Sequence, residues 1–67
     1  MINQITGKLV SSSDSYLVVE IGGVGIKVNI PKSYSKKFRM NETISLVTYL
    51  HVKEDALDLY GFENEDY

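Results

Sequence analysis

The stretch VVEIGGVGIKVNIP, residues 18–31, decides the fold class of this chain. Apolar residues alternate with other residues on both sides of a glycine pair, which is the spacing of two half-buried β-strands. Gly22 and Gly23 supply the positive φ angles that a two-residue hairpin turn needs. Pro31 has no N–H group to donate to a sheet, so it ends the second strand. The stretch therefore predicts a β-hairpin over residues 16–30.

The same period of two continues on either side of this hairpin. It predicts five strands in all, over residues 2–10, 16–21, 24–30, 43–52 and 56–62. Gly7 interrupts the first strand, and we expect a bulge or bend there. The alternating apolar set of the fourth strand is Ile44, Leu46 and Leu50.

The segment KSYSKKFRMNE, residues 32–42, has a different spacing. Tyr34, Phe38 and Met40 could line one side of a short helix, and neighbouring serines could cap it. Five strands with a short helix or turn between the third and fourth are typical of an all-β, OB-fold Greek-key barrel. A five-stranded SH3-like barrel is the main alternative, and the helical segment favours the OB barrel.

Size and composition limit the function. The chain has 67 residues, 43% of them hydrophobic and 24% charged, as in a single globular domain. We expect the barrel over residues 1–64 and an acidic tail, or the start of a linker, over residues 65–67. The net charge of −2 lacks the basic surplus of most free-standing nucleic-acid binders. With no basic signal segment and no membrane-length apolar run, the expected location is the cytoplasm.

Catalysis and metal binding are not expected from this sequence. The chain has no Cys and a single His, His51, so thiolate-held zinc and a nucleophile–base pair are both unsupported. The glycine cluster at 22–25 does not match a phosphate-binding loop, and no long helix follows it. We therefore expect no cofactor, no metal and no enzymatic activity of the domain by itself.

Two charged clusters are candidate binding residues. One is a basic patch interleaved with Tyr34 and Phe38. Its members are Lys32, Lys36, Lys37 and Arg39. Such a patch can contact nucleic acid. The spacing of four between the two aromatic residues instead favours a helix whose basic side is solvated and whose aromatic side is buried in the barrel. The other cluster is the adjacent pair Glu54 and Asp55 between the last two strands, which by spacing alone is a charged turn that protects strand ends.

Three segments together carry a resemblance to a known family. They are MINQITGKLV, residues 1–10, the hairpin stretch VVEIGGVGIKVNIP, and HVKEDALDLYGF, residues 51–62. In this order they resemble the N-terminal domain of RuvA, the Holliday-junction-binding subunit of the bacterial branch-migration complex. The similarity runs from Met1 to about Asn64, and residues 32–42 match only loosely.

The resemblance implies a non-catalytic OB-fold domain at the core of a homotetramer, or an octamer, that binds four-way junction DNA. Branch migration serves homologous recombination and DNA repair, including the SOS response. Glu54 and Asp55 match the family's acidic pin at the junction crossover, and Lys53 precedes the pair as a candidate DNA contact.

Members of this family continue into a helical domain and a third domain that binds the RuvB ATPase. Because the chain ends at Tyr67, we expect it to be an excised first domain or part of a longer protein. Two alternatives remain open: a generic single-strand binder that uses Tyr34, Phe38 and the basic patch, and a protein-interaction barrel with no DNA role.

Overall fold

The chain folds as one closed five-stranded barrel with the strand order β1-β2-β3-β5-β4. The structure, a computed structural model, describes residues 2–52, 54 and 57–63, without the side chains of residues 2 and 3. The strands are β1 (Ile2–Ser12), β2 (Tyr16–Ile21), β3 (Val24–Asn29), β4 (Thr43–Val52) and β5 (Leu57–Phe62). The predicted all-β barrel is confirmed.

Strand β1 is shared by both halves of the barrel. Its first part pairs with β4, from Ile2↔Tyr49 to Lys8↔Thr43, and its second part pairs with β2. The sheet closes where β3 meets β5 in parallel at Asn29↔Tyr60, while β4 and β5 form an antiparallel hairpin. This order of pairing is that of the predicted OB-type barrel, not of the SH3-like alternative.

Two glycines allow the strands to approach closely. A Cβ atom on Gly7 would lie 2.5 Å from the Glu20 carbonyl oxygen, and one on Gly61 would lie 2.6 Å from Val28 Cγ1. The bulge expected at Gly7 is instead found two to three residues later, where the β1–β2 register shifts between Leu9 and Ser11. Gly7 is therefore required for close packing across the barrel. From the sequence alone, a glycine needed for close packing looks the same as a glycine at a bulge.

The interior of the barrel is filled by aliphatic side chains from four strands and the segment that follows β3. The buried core consists of Leu9, Leu17, Val19, Val28, Ile30, Tyr34, Ile44 and Leu46. Successive core residues within a strand are two positions apart, as Leu17 and Val19 are in β2, which is the period that the sequence predicted for the strands. The β2–β3 turn is also as expected, with φ of +58° at Gly22 and +87° at Gly23.

The segment between β3 and β4 contains a turn, in agreement with the predicted short helix or turn. It holds a 3-10 turn, Lys32–Tyr34, that starts after Pro31 and has no side-chain cap. Tyr34 is buried and contacts the half-buried Phe38 edge to face, with 6.3 Å between ring centroids. Met40 is 52% exposed and does not join Tyr34 in the core. A 3-10 turn and the bends after it point these side chains in directions that a regular helix would not.

Strand β4 also departs from its predicted apolar set. Its inward positions are Ile44, Leu46 and Thr48, whereas Leu50 is 37% exposed. Among the described residues, β1 pairs with β4 only up to Tyr49, so the last residues of β4 have no described partner on that side. Across the described part of the chain, no helix is long and apolar enough to cross a membrane.

Candidate functional site

The end of the β4–β5 hairpin projects from the barrel with an apolar face. Leu50 and Val52 continue the inward side of β4, and Val52 lies opposite Leu57 of β5. Val52 is 66% exposed and Leu57 is 70% exposed, so this face has no cover from the described residues of the chain. Exposed apolar groups that lie next to each other typically mark an interaction surface. We call Leu50, Val52 and Leu57 the hairpin face.

Glu54 of the predicted acidic pair lies at the tip of the same hairpin. It is exposed in the bend that follows β4. Asp55 and Lys53, the other two residues predicted at this tip, lie outside the described residues. One carboxylate is therefore presented to solvent at the end of an arm formed by two paired strands.

The basic patch is exposed, but its aromatic neighbours are not available for stacking. All four basic side chains are exposed, and Lys37 forms an ion pair with Glu63 just after β5. The hydrogen bond that Lys37 donates to Glu63 raises the pKa of the Lys37 ammonium. Tyr34 is buried beneath it and accepts a 3.2 Å hydrogen bond from the Glu63 N–H at its hydroxyl. This arrangement ties the β3–β4 segment to the end of β5.

A row of three tyrosines and one asparagine crosses the outside of the barrel. Tyr16 of β2 pairs with Asn29 of β3, Asn29 with Tyr60 of β5, and Tyr60 with Tyr49 of β4. Residues paired in this way project from the same side of a sheet, so all four lie on the outer face. Sequence reasoning missed this row because the residues are far apart in the chain, and only the strand order brings them together.

Further contacts organise this outer face. The Lys27 ammonium lies 4.8 Å from the centroid of the Tyr16 ring, and the Asn29 amide donates a 3.2 Å hydrogen bond to the Leu59 carbonyl. The His51 ring packs edge to face on Tyr60, with 6.4 Å between centroids. Tyr49 contacts Phe62 in the same way at 5.6 Å. The face therefore combines aromatic rings with one nearby cation.

Metal chemistry is not supported by the described residues. Within residues 2–52, 54 and 57–63, no group of three His, Asp or Glu side chains is placed to hold an ion. The features that stand out are an apolar projecting hairpin, an acidic tip and an aromatic outer face. Together with the closed five-stranded topology, they define an OB-type barrel that offers surfaces for binding.

The comparison with known families identifies the chain more closely. Residues 1–61 match the family model described as the RuvA N terminal domain. The chain therefore belongs to the RuvA N-terminal domain family, as its sequence segments indicated.

Individual relatives agree with this assignment. The chain is 44% identical over 66 residues to the Holliday junction branch migration complex subunit RuvA of Desulforudis audaxviator, an alignment that covers 97% of this chain and 33% of the relative. It is 41% identical over 66 residues to the protein of the same name from Oceanobacillus iheyensis, with 98% and 33% covered. The chain thus spans about a third of the length of the relatives it matches.

Proposed function

We propose that this domain helps a branch-migration complex bind Holliday junctions, by contributing to subunit assembly and by placing carboxylates at the crossover. The observation that carries the proposal is the exposed Glu54 at the tip of a projecting hairpin in a chain of the RuvA N-terminal family. Glu54 and Asp55 form the acidic pin, and Lys53 is the candidate DNA contact beside them. The proposed activity is the binding of bacterial DNA, so we place the protein in the cytoplasm.

The acidic pin acts by repulsion. A carboxylate and a phosphate about 4 Å apart repel by about 1 kcal/mol in bulk water and by about 4 kcal/mol at an effective dielectric constant near 20. In a homotetramer, two carboxylates from each of four copies place eight at the centre. A continuous duplex across that centre would bring its phosphates close to them. An open junction, whose strands diverge around the pins, meets less repulsion, so the pin selects the ligand by disfavouring the wrong one.

The hairpin face is our candidate for the assembly contact. Leu50, Val52 and Leu57 are apolar, adjacent and exposed, and they lie on the same arm as the acidic tip. Burying them between copies removes apolar surface from water, at about 25 cal/mol for each Å². An assembly held by these arms gathers the tips near one axis. The apolar contact and the electrostatic selection thus depend on the same hairpin.

DNA attraction must come largely from outside this domain. Its net charge is −2, whereas affinity for DNA depends on cations that displace counterions from phosphates. The relatives are about three times longer than this chain. We assign the phosphate contacts and the binding of the RuvB ATPase to those additional parts, and the assembly of four or eight copies in part to this one.

The structure weakens one version of the alternative single-strand function. That version uses Tyr34 and Phe38 as stacking residues, yet Tyr34 is only 6% exposed and Phe38 packs against the core. The basic side chains of the patch remain accessible, and a role for them as phosphate contacts stays a prediction. A barrel that binds only protein would use the hairpin face without any affinity for junctions.

The test is a binding titration at low salt in a chimera. In this chimera the present chain replaces the matching segment of the Desulforudis audaxviator relative, so that the remaining two thirds are supplied. A four-way junction is compared with a duplex of the same arm sequence. We expect Glu54→Gln with Asp55→Asn to raise duplex affinity several-fold and to reduce the preference for the junction.

A matched control separates the position of the charge from its amount. Asp14 and Glu42 are exposed carboxylates elsewhere on the barrel. Asp14→Asn with Glu42→Gln removes the same net charge as the pin variant. We expect this control to change both affinities alike and to leave their ratio as it is in the native chimera. If the two double variants behave identically, the pin has no special role, and the proposal reduces to assembly.

A further inference from the structure

The outer face of β2, β3 and β5 has the composition of a base-stacking surface. In OB-type barrels the face formed by the second and third strands is the usual place for oligonucleotides and oligosaccharides. Here that face continues onto β5 through the Asn29↔Tyr60 pair and carries Tyr16, Asn29 and Tyr60 side by side. Stacking on aromatic rings is how such barrels hold unpaired bases without reading their sequence.

Tyr60 is the most accessible ring of the row. It is 37% exposed, and the exposed His51 packs against it edge to face. The Lys27 ammonium already covers one side of the Tyr16 ring. We therefore expect Lys27 and Tyr16 to contribute a positive charge to the face, and not a ring on which a base stacks. A base stacked on Tyr60 would therefore have a positive charge two strands away, across Asn29.

Because the barrel is closed, the row follows a curved wall, and one short strand of nucleic acid can contact only its adjacent members. Asn29 and Tyr60 lie on neighbouring strands, about 4.8 Å apart. Lys27 is two residues before Asn29 and so projects from the same side of β3. The row crosses the strands, whereas the hairpin tip extends beyond the barrel end, so the two surfaces are separate.

We propose that this outer face binds unpaired DNA, with Tyr60 stacking on a base and Lys27 contacting a backbone phosphate. The inference rests on the proposed function only in taking DNA as the ligand. Branch migration exchanges base pairs and so exposes unpaired bases for short times, which such a face can hold. Asp58, opposite His51 on the same face, and Glu20 keep the region from being strongly basic, so stacking contributes more than charge.

The experiment measures binding of the 67-residue chain to short fluorescent oligothymidylate at low salt. An abasic oligomer of the same length keeps the phosphates and lacks the bases. We expect the native chain to prefer oligothymidylate and Tyr60→Leu to bind it about tenfold more weakly, within the range measured for loss of base stacking. Tyr60→Phe keeps the ring and is expected to bind as the native chain does. Neither variant should change binding to the abasic oligomer.

Lys27→Gln tests the phosphate contact separately. We expect it to lower the slope of log affinity against log salt by about 0.7, the amount for one phosphate contact on a single strand. Lys8→Gln, an exposed lysine of β1 outside the proposed face, is the matched control and should leave the slope unchanged. Thermal unfolding of each variant shows whether the fold is retained.

The inference would be overturned by equal binding of native chain and Tyr60→Leu, or by no preference for oligothymidylate over the abasic oligomer. It would also be overturned if the NMR signals of Tyr16 and Tyr60 moved on changing protein concentration but not on adding DNA, since the face would then be a protein contact. The junction titration on Glu54 and Asp55 is independent of these results, so either proposal can fail while the other stands.

Discussion

The two halves of strand β4 have the same apolar period but opposite environments. Ile44, Leu46 and Thr48 are at most 5% exposed, whereas Leu50 and Val52, on the same side of the same strand, are 37% and 66% exposed. The first half is covered because β1 pairs along all of it, β5 joins it from Val47 onward, and the barrel interior closes over it. The second half has β5 as its one described strand neighbour. A single strand thus begins as part of the core and ends as part of a binding arm.

This difference shows how the chain separates stability from function. The core half must be apolar for the domain to fold, since a domain of this size has little surplus burial. The arm half gains nothing in the isolated domain from being apolar and would be more soluble if it were polar. In the proposed function, another copy of the chain covers these apolar side chains, and Glu54 lies directly beyond them.

The largest loss of stability is expected from Leu46→Ala. The side chain is 1% exposed, and removing it leaves a cavity in the barrel at a cost of about 2–5 kcal/mol. That is a large part of the roughly 3–10 kcal/mol expected for 67 residues. Urea denaturation followed by circular dichroism measures the change. Leu50→Ala, on the same side of β4, is the control and should cost less than about 1 kcal/mol; equal losses would remove the distinction between the two halves.

A second large loss of stability is expected from Gly7→Ala. The added methyl group would lie 2.5 Å from a backbone carbonyl oxygen and 2.7 Å from Val19 Cγ1, so β1 and β2 would have to separate. Overpacking of this kind costs typically about 1–3 kcal/mol. Gly22→Asn is the control, because nothing lies within 4 Å of that position and asparagine accepts its positive φ. A thermal melt that ranks the two variants the other way would show that the close approach is not tight.

A stabilising change is expected from Thr48→Val. The Thr48 hydroxyl is buried, with no hydrogen-bond partner among the described residues. Valine has nearly the same shape and no hydroxyl to desolvate, so we expect a gain of roughly 1 kcal/mol in the free energy of unfolding. Thr6→Val is the comparison, since it removes an exposed hydroxyl that is 2.8 Å from Ser45 Oγ. A loss of stability in Thr48→Val would indicate that the hydroxyl has a partner in solution.

The smallest effect is expected from Lys37→Gln, which removes the exposed ion pair with Glu63. Because the pKa of Lys37 is raised in the folded chain, the pair's contribution is fully present below the unfolded pKa of lysine. It is lost as the pH rises through the higher folded value. Melts of native chain and variant should thus differ slightly at neutral pH and coincide at strongly alkaline pH. Lys36→Gln, which removes the same charge from the same segment, is the control for the change in net charge.

Much of the fold could be predicted from local pattern. The Gly22–Gly23 turn and the period of two around it determine β2 and β3, because turn chemistry and alternation act over a few residues. The exposure of Leu50 could not be predicted, since it depends on where β1 stops pairing with β4. The row from Tyr16 to Tyr60 depends in the same way on barrel closure. Of the predicted site, Glu54 is placed at an exposed tip, and the roles of Lys53, Asp55 and the basic patch stay predictions.

The central claim is that the hairpin face serves assembly and not the stability of the domain. The most direct test is to make this face polar with Val52→Ser and Leu57→Ser. Unfolding of the chain is measured by urea at a dilution where the native chain is monomeric, so that association does not contribute. The mass of the chimera is measured by sedimentation. We predict a free energy of unfolding within about 0.5 kcal/mol of the native value and a smaller assembly. A loss of more than about 2 kcal/mol in the monomer, or an unchanged mass, would contradict the account.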